Sequence, residues 1–223
     1  MVIVTSLTAP LPTERTHVFL LPLGQARGEA SLPATGIERA EAAALHPPLR
    51  QAFLARRRLL RGAVALRLGI APGDVVIARD AHGAPRVTSA REPLFVSLAS
   101  RGDVAAIAVS DCPVGVDFEI VEANPPEPAW NILHAREREW LAKQSGGERA
   151  QGFLELWCAK EAYLKAIGLG LRREPADIAV LLEDRDQLAI DDAGRPVVLE
   201  SGFVTEIEAH GTSAILACVV LAR

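Results

Sequence analysis

Lysine, cysteine and aromatic residues are scarce in this chain of 223 residues: three lysines, three cysteines and 4% aromatics. Arginine therefore carries nearly all the positive charge, and in an alanine-rich chain that bias reflects base composition more than function. Cys112, Cys158 and Cys218 are odd in number, far apart and without a CxxC or a histidine at ligand spacing. They are expected to be reduced core thiols, and a zinc site or a thiol nucleophile is excluded. None of the five histidines has a partner at nucleophile or metal spacing. No run approaches the roughly 18 apolar residues of a membrane span, and no signal-peptide pattern opens the chain at Met1 to Ser6. The expectation is a soluble, cytoplasmic protein without a membrane partner. No aromatics interleave the arginines and the net charge is −4, which weighs against nucleic acid.

Apolar residues make up 49% of the chain, enough to bury the core of one large domain or two of about a hundred residues each. Charge is unevenly spread. Residues 1–112 hold 13 arginines and no lysine against 9 acids, and residues 113–223 hold 8 arginines and 3 lysines against 19 acids. A basic first part and an acidic second part suit a polyanionic nucleotide held by one and its metal held by the other.

The acidic part opens on Gly115-Val116-Asp117-Phe118-Glu119-Ile120. A strand has a side-chain period of two, so both carboxylates point to one face while Val116, Phe118 and Ile120 enter the core. Two acids so placed repel unless a cation lies between them. About forty residues later comes Trp157-Cys158-Ala159-Lys160-Glu161-Ala162-Tyr163-Leu164-Lys165, closed by Gly168 and Gly170. Trp157, Glu161 and Lys165 recur every fourth residue and form one stripe on a helix. Asp117, Glu119 and Glu161 together suit Mg²⁺, with Mn²⁺ as an alternative at an all-oxygen site, and Lys165 suits a phosphate.

At these residues the chain resembles the 4′-phosphopantetheinyl transferases, of the single-chain surfactin-synthetase-activating type. That family pairs a strand reading Gly-hydrophobic-Asp-hydrophobic-Glu with a helix reading Trp-x-x-Lys-Glu-Ala-x-x-Lys-Ala-x-Gly-x-Gly-Leu, and both patterns are complete here in order and separation. The resemblance implies a Mg²⁺-dependent transfer of 4′-phosphopantetheine from coenzyme A to a serine of an acyl or peptidyl carrier protein. Asp117, Glu119 and Glu161 would be the metal ligands. Glu161 is a candidate general base and Lys165 a phosphate ligand, with Asp117 also near the cofactor. Glu137, in Arg136-Glu137-Arg138, matches an acid near the family's metal and is the second candidate base. Arg57, followed by Arg58-Leu59-Leu60, matches an arginine that contacts coenzyme A phosphate.

Two family segments are altered. His82-Gly83-Ala84-Pro85-Arg86 replaces Gly-Lys-Pro, which leaves Gly83, Pro85 and Arg86 as nucleotide contacts and Ala84 in place of the lysine. Val96-Ser97-Leu98-Ala99-Ser100-Arg101 places Ala99 and Ser100 where the family has Ser-His, with Ser100 and Arg101 available to phosphate. Two other readings are a homologue that binds nucleotide or carrier without catalysis, and a metal-dependent phosphohydrolase using the same carboxylates.

The hydrophobic patterning predicts strands at 17–21, 75–77, 94–98 and 104–109 and helices at 36–45 and 49–68. After the acidic strand it predicts helices at 129–143 and 147–167, then strands at 178–182, 187–190, 197–199, 203–209 and 214–221. Glu122 to Pro128, with three prolines, reads as a loop. Helices followed by antiparallel strands make the class α+β. The resemblance implies a pseudo-twofold pair of subdomains, residues 1–112 and 113–223, with the active site in the cleft between them. Because both halves lie in one chain, a monomer is expected.

Overall fold

The computed structural model describes residues 15–26, 32–123, 127–184, 187–209 and 211–223. Part of the loop expected at 122–128 thus lies outside the described residues. The class is α+β, as the patterning predicts. Strands β1 (Thr16–Pro22), β4 (Phe95–Arg101) and β5 (Val104–Ser110) form an antiparallel sheet in the order β1-β5-β4. A second antiparallel sheet has the order β10-β11-β6, from β6 (Val114–Ile120), β10 (Leu199–Ala209) and β11 (Thr212–Leu221). Two smaller sheets complete the set. A hairpin joins β2 (Ile77–Arg79) to β3 (Pro85–Val87), and β7 (Ile178–Asp184), β8 (Gln187–Asp192) and β9 (Arg195–Pro196) pair in that order.

The helices are α1 (Gly36–Ala43), α2 (Pro47–Leu68), α3 (Ala135–Ala142) and α4 (Gly146–Ala166). Pro47 and Pro48 open α2, where a missing backbone N–H leaves nothing unpaired. Leu60, Val64 and their neighbours on α2 pack on Phe19, Leu21, Val96, Ile107 and Val109 of the first sheet. The opposite face of that sheet, with Ala99, Ala106 and Ala108, shares a core with Val116, Phe118, Leu216 and Cys218 of the second. Ser97 on β4 accepts a hydrogen bond from the Val116 amide at 3.0 Å, which ties the two sheets together. All three cysteines are buried and free, in keeping with core thiols.

Three elements differ from the patterning. The helix expected over 129–143 breaks at Leu133-His134, leaving a short 3₁₀ turn at Trp130–Ile132 before α3. His134 caps α3: its Nδ1 accepts from the Arg136 amide while Glu137 accepts from the His134 amide. The strands expected at 197–199 and 203–209 merge into β10, whose irregularity between Leu199 and Ser201 absorbs the break in alternation. The strand expected at 75–77 begins at Ile77 and pairs with a strand at Pro85–Val87 that alternation over three residues is too short to reveal.

Helix α4 lies on β6 and β11, with Leu156, Ala159, Ala162 and Ala166 facing Ile215, Ala217 and Val219. Contact is closest at Gly115. A Cβ built there would lie 1.8 Å from the Ala162 carbonyl oxygen and 2.7 Å from the Ala166 nitrogen, so only glycine admits this approach. Gly115→Ala must therefore push helix from strand, at a cost of about 3 kcal/mol. A melting temperature lowered by about 10 °C, measured by circular dichroism, is the expected outcome.

Candidate functional site

The face of β6 turned to α4 carries Gly115, Asp117 and Glu119, while Val116 and Phe118 enter the core on the other side. Asp117 and Glu119 stand opposite Ala217 and Ile215 of β11, so two acids border an apolar sheet. From α4, Lys165 places its Nζ 2.6 Å from Asp117 Oδ1 and 3.1 Å from the Val116 carbonyl. Helix α4 ends one turn later, where Gly168 has a φ of 73° and the Leu169 amide returns to the Leu164 carbonyl at 3.2 Å. This glycine closure puts Lys165 in the last turn, where an ammonium also complements the helix dipole.

From the first sheet, Arg101 makes a fork with Glu119, Nε to Oε2 at 2.5 Å and Nη2 to Oε1 at 2.7 Å. The hydrogen bond to Glu119 raises the Arg101 pKa; burial opposes it and Asp117 adds to it. Arg101 is more than half exposed, so the pair contributes little to stability and is open to exchange. Glu161 completes the group. Burial raises its carboxyl pKa; Lys165 pulls it down, Asp117 and Glu119 push it up, and Arg101 opposes them. Five charged side chains from β4, β6 and α4 thus share one electrostatic neighbourhood. The Cys158 thiol lies on the same border, and burial, reinforced by Asp117 and Glu119, raises its pKa so that it stays protonated.

Asp117 Oδ2 is buried and has no hydrogen-bond partner. An anionic oxygen left in this state is costly unless a cation reaches it. The donor set of carboxylate oxygens suits a hard divalent ion. Among the described residues no three histidine, cysteine, aspartate or glutamate side chains already converge at metal-holding geometry. Lys165 and Arg101 take the positions next to Asp117 and Glu119 instead.

The expected nucleotide contacts lie on α2 and the β2–β3 hairpin. Arg57 is buried beside Glu41 of α1 at 3.0 Å, with its guanidinium 5.3 Å from the centre of the Phe53 ring. Arg79 pairs with the same Glu41 at 3.2 Å, and its Nη1 donates to the Gly83 carbonyl at 3.1 Å. Arg57 is therefore linked to the Gly83 turn through Glu41 and Arg79, neither of which the sequence reading singled out. Pro85 starts β3, and Arg86 is exposed beside Asp80 at 3.4 Å. Ser100 faces α2, where Arg56 Nη1 lies 3.5 Å from its hydroxyl. Of the three consecutive arginines only Arg57 pairs with an acid among the described residues, which the run itself does not reveal.

Glu137 is not brought to this group. It is 2% exposed, and both its oxygens are engaged, Oε1 by the Val180 amide at 2.8 Å and Oε2 by the His134 amide at 2.8 Å and Lys160 Nζ at 2.9 Å. Lys160 also donates to the carbonyls of Pro175, at 2.7 Å, and Ile178. Burial pushes the Glu137 carboxyl up and the Lys160 ammonium down, and each is opposed by the other's charge. This is a buried ion pair holding α3, α4 and β7 together, and a general base needs an oxygen free to take a proton. Breaking it with Lys160→Met strands a buried carboxylate and should cost about 3–5 kcal/mol. Adding Glu137→Leu should recover most of that loss, as read from urea denaturation of the single and double variants.

An α+β scaffold that pairs Asp117 with Lys165 and Glu119 with Arg101, with Glu161 in the same electrostatic neighbourhood, is suited to phosphate esters and their counterions. Comparison with known proteins agrees with that chemistry. Residues 113–217, which contain Asp117, Glu119, Glu161 and Lys165, match the model of the 4′-phosphopantetheinyl transferase superfamily. The chain is 27% identical over 113 residues to the 4′-phosphopantetheinyl transferase gsp of Aneurinibacillus migulanus, covering 51% of this chain and 46% of that protein. It is 28% identical over 180 residues to the 4′-phosphopantetheinyl transferase HetI of Nostoc sp., covering 76% of each. The match thus spans about half the length of the first relative and three quarters of the second. A solved structure, holo-[acyl-carrier-protein] synthase of Thermotoga maritima, aligns at 22% identity over 50% of this chain and 65% of that one. Its TM-score of 0.37 is too low to transfer geometry.

Proposed function

We propose that this protein is a 4′-phosphopantetheinyl transferase that moves 4′-phosphopantetheine from coenzyme A to a serine hydroxyl of an acyl or peptidyl carrier protein. The observation that carries the reading is the unpartnered buried oxygen of Asp117, set beside Glu119, Glu161 and Lys165 in the segment that matches the superfamily. It favours the surfactin-synthetase-activating type only through the resemblance of the two motifs.

In this reading the serine oxygen attacks the phosphorus that bears pantetheine. The bridging P–O bond of the diphosphate breaks, and adenosine 3′,5′-bisphosphate leaves. Glu161 is the proton acceptor in this reading, because burial raises its carboxyl pKa beside Lys165, Asp117 and Glu119. Lys165, held on Asp117 and the Val116 carbonyl, is positioned to stabilise charge on the departing phosphate. Arg101 can exchange Glu119 for a phosphate oxygen, since its guanidinium fork fits either. A Mg²⁺ ion held by Asp117, Glu119 and Glu161 would neutralise the diphosphate and polarise the phosphorus.

Acidic carriers would meet the basic surface after α4. Arg172 is exposed there, next to Leu171, which is 67% exposed. Arg173 is committed elsewhere, to Asp177 and Asp192, and Asp192 also accepts from the Tyr163 hydroxyl at 2.9 Å. Arg172→Ala is accordingly expected to raise the carrier KM several-fold and leave coenzyme A binding unchanged. Equal kinetics would remove this surface from the reading.

Intact-protein mass spectrometry of apo carrier proteins, incubated with the protein, coenzyme A and Mg²⁺, tests the activity itself. One phosphopantetheine gained per carrier, lost on chelation, is the expected result. Glu161→Gln should lower that rate at least about a hundredfold and Lys165→Ala about a hundredfold, both with the folded state retained. No gain on any carrier by the folded protein would refute the transferase reading.

A further inference from the structure

We propose that the Arg101 fork makes metal binding at the acid group conditional: it withholds Glu119 from a divalent cation until an anionic group of the nucleotide takes over the guanidinium. The inference rests on the transferase reading above and deepens it.

The two acids of β6 differ in what they leave open. Asp117 gives one oxygen to Lys165 at 2.6 Å, and its other oxygen, Oδ2, is buried without a hydrogen-bond partner among the described residues. Glu119 has both oxygens on Arg101, at 2.5 and 2.7 Å. A divalent cation therefore meets an open oxygen at Asp117, whereas at Glu119 it must first displace a bidentate guanidinium.

The Glu119 pair has one fixed partner and one movable one. Glu119 is mostly buried on β6, opposite Ile215 of β11. The Arg101 backbone is paired with Val104 at the end of β4, while its side chain is 56% exposed, so a change of rotamer releases the guanidinium without moving a strand. Lys165 lacks that freedom, since the Val116 carbonyl holds it as well as Asp117.

Charge balance sets the condition for release. Asp117, Glu119 and Glu161 outnumber Lys165 and Arg101 by one formal charge. A divalent cation entering alone would turn the group positive beside two retained bases, which disfavours it. A cation entering with a diphosphate keeps the balance negative, and the fork that leaves Glu119 fits the oxygens that arrive. Metal and nucleotide are thus positively coupled, each raising the affinity for the other by the same factor.

Mn²⁺ binding, read from the electron paramagnetic resonance of the free ion with and without coenzyme A, is the test. The wild-type protein should bind Mn²⁺ weakly alone and at least about fivefold more tightly with coenzyme A. Arg101→Gln should tighten Mn²⁺ binding to the protein alone at least about fivefold and keep the melting temperature, because an exposed pair contributes little to the fold. Arg56→Gln removes a charge from the opposite face of β4, where Arg56 lies 3.5 Å from the Ser100 hydroxyl, and should change that affinity less than about twofold. A smaller gain in Arg101→Gln, an equal gain in Arg56→Gln, or no tightening of the wild type by coenzyme A refutes the conditional site and leaves the transferase reading to its own test. Mn²⁺ bound by neither the wild type nor Arg101→Gln, with or without coenzyme A, would overturn both, since transfer in that reading depends on the metal.

Discussion

Helix α4 lies so close over β6 that no side chain fits between them at Gly115, and the placement of the charged groups follows from that approach. The Ala162 and Ala166 backbone sits directly on the strand, so Lys165 reaches both the Val116 carbonyl and the Asp117 carboxylate. Glu161, one turn earlier on the same stripe, lies within the electrostatic reach of the same acids. A wider spacing would lengthen the Lys165 contact and let water between the carboxylates, and it would relieve the burial that raises the Glu161 pKa.

The acid group is balanced by charges of unequal permanence. Lys165 is fixed by a helix end and two acceptors, whereas Arg101 comes from the exposed end of another strand. In the proposed reading that asymmetry lets Arg101 turn to an incoming phosphate while Lys165 stays anchored on Asp117. The basic counterpart on α2 is built the same way. Glu38 and Glu41 of α1 neutralise the buried Arg61 and Arg57 and leave Arg56 with a hydroxyl alone.

Legibility in the sequence followed the length and regularity of each element. Helices α2 and α4 show long periodic patterns and a defined stop, and their extents agree closely with the reading. Strand β6 was legible because its alternation places acids against apolar residues. The break before α3 was not, since Leu133-His134 carries no proline or glycine and is set by the histidine cap and by Glu137 folding back on it. Hairpin β2–β3 is too short for its pairing to emerge from alternation. Lys165 meets Asp117 and Arg101 meets Glu119, with Glu161 in the same electrostatic neighbourhood. Glu137 does not, because an acid beside two arginines on a helix looks the same whether it faces a site or a buried lysine.

The sequence alone determined the α+β class, the strand that carries two acids on one face, and the helical stripe of Glu161 and Lys165. These depend on local periodicity and on residues a few positions apart. Tertiary structure decided which ions are already paired: Arg101 on Glu119, Lys160 on Glu137, Arg57 on Glu41 and Arg173 on Asp192. Partners 16 to 23 residues apart in sequence meet only after sheets and helices pack, and the energy of a charge depends on that burial and pairing more than on its neighbours along the chain.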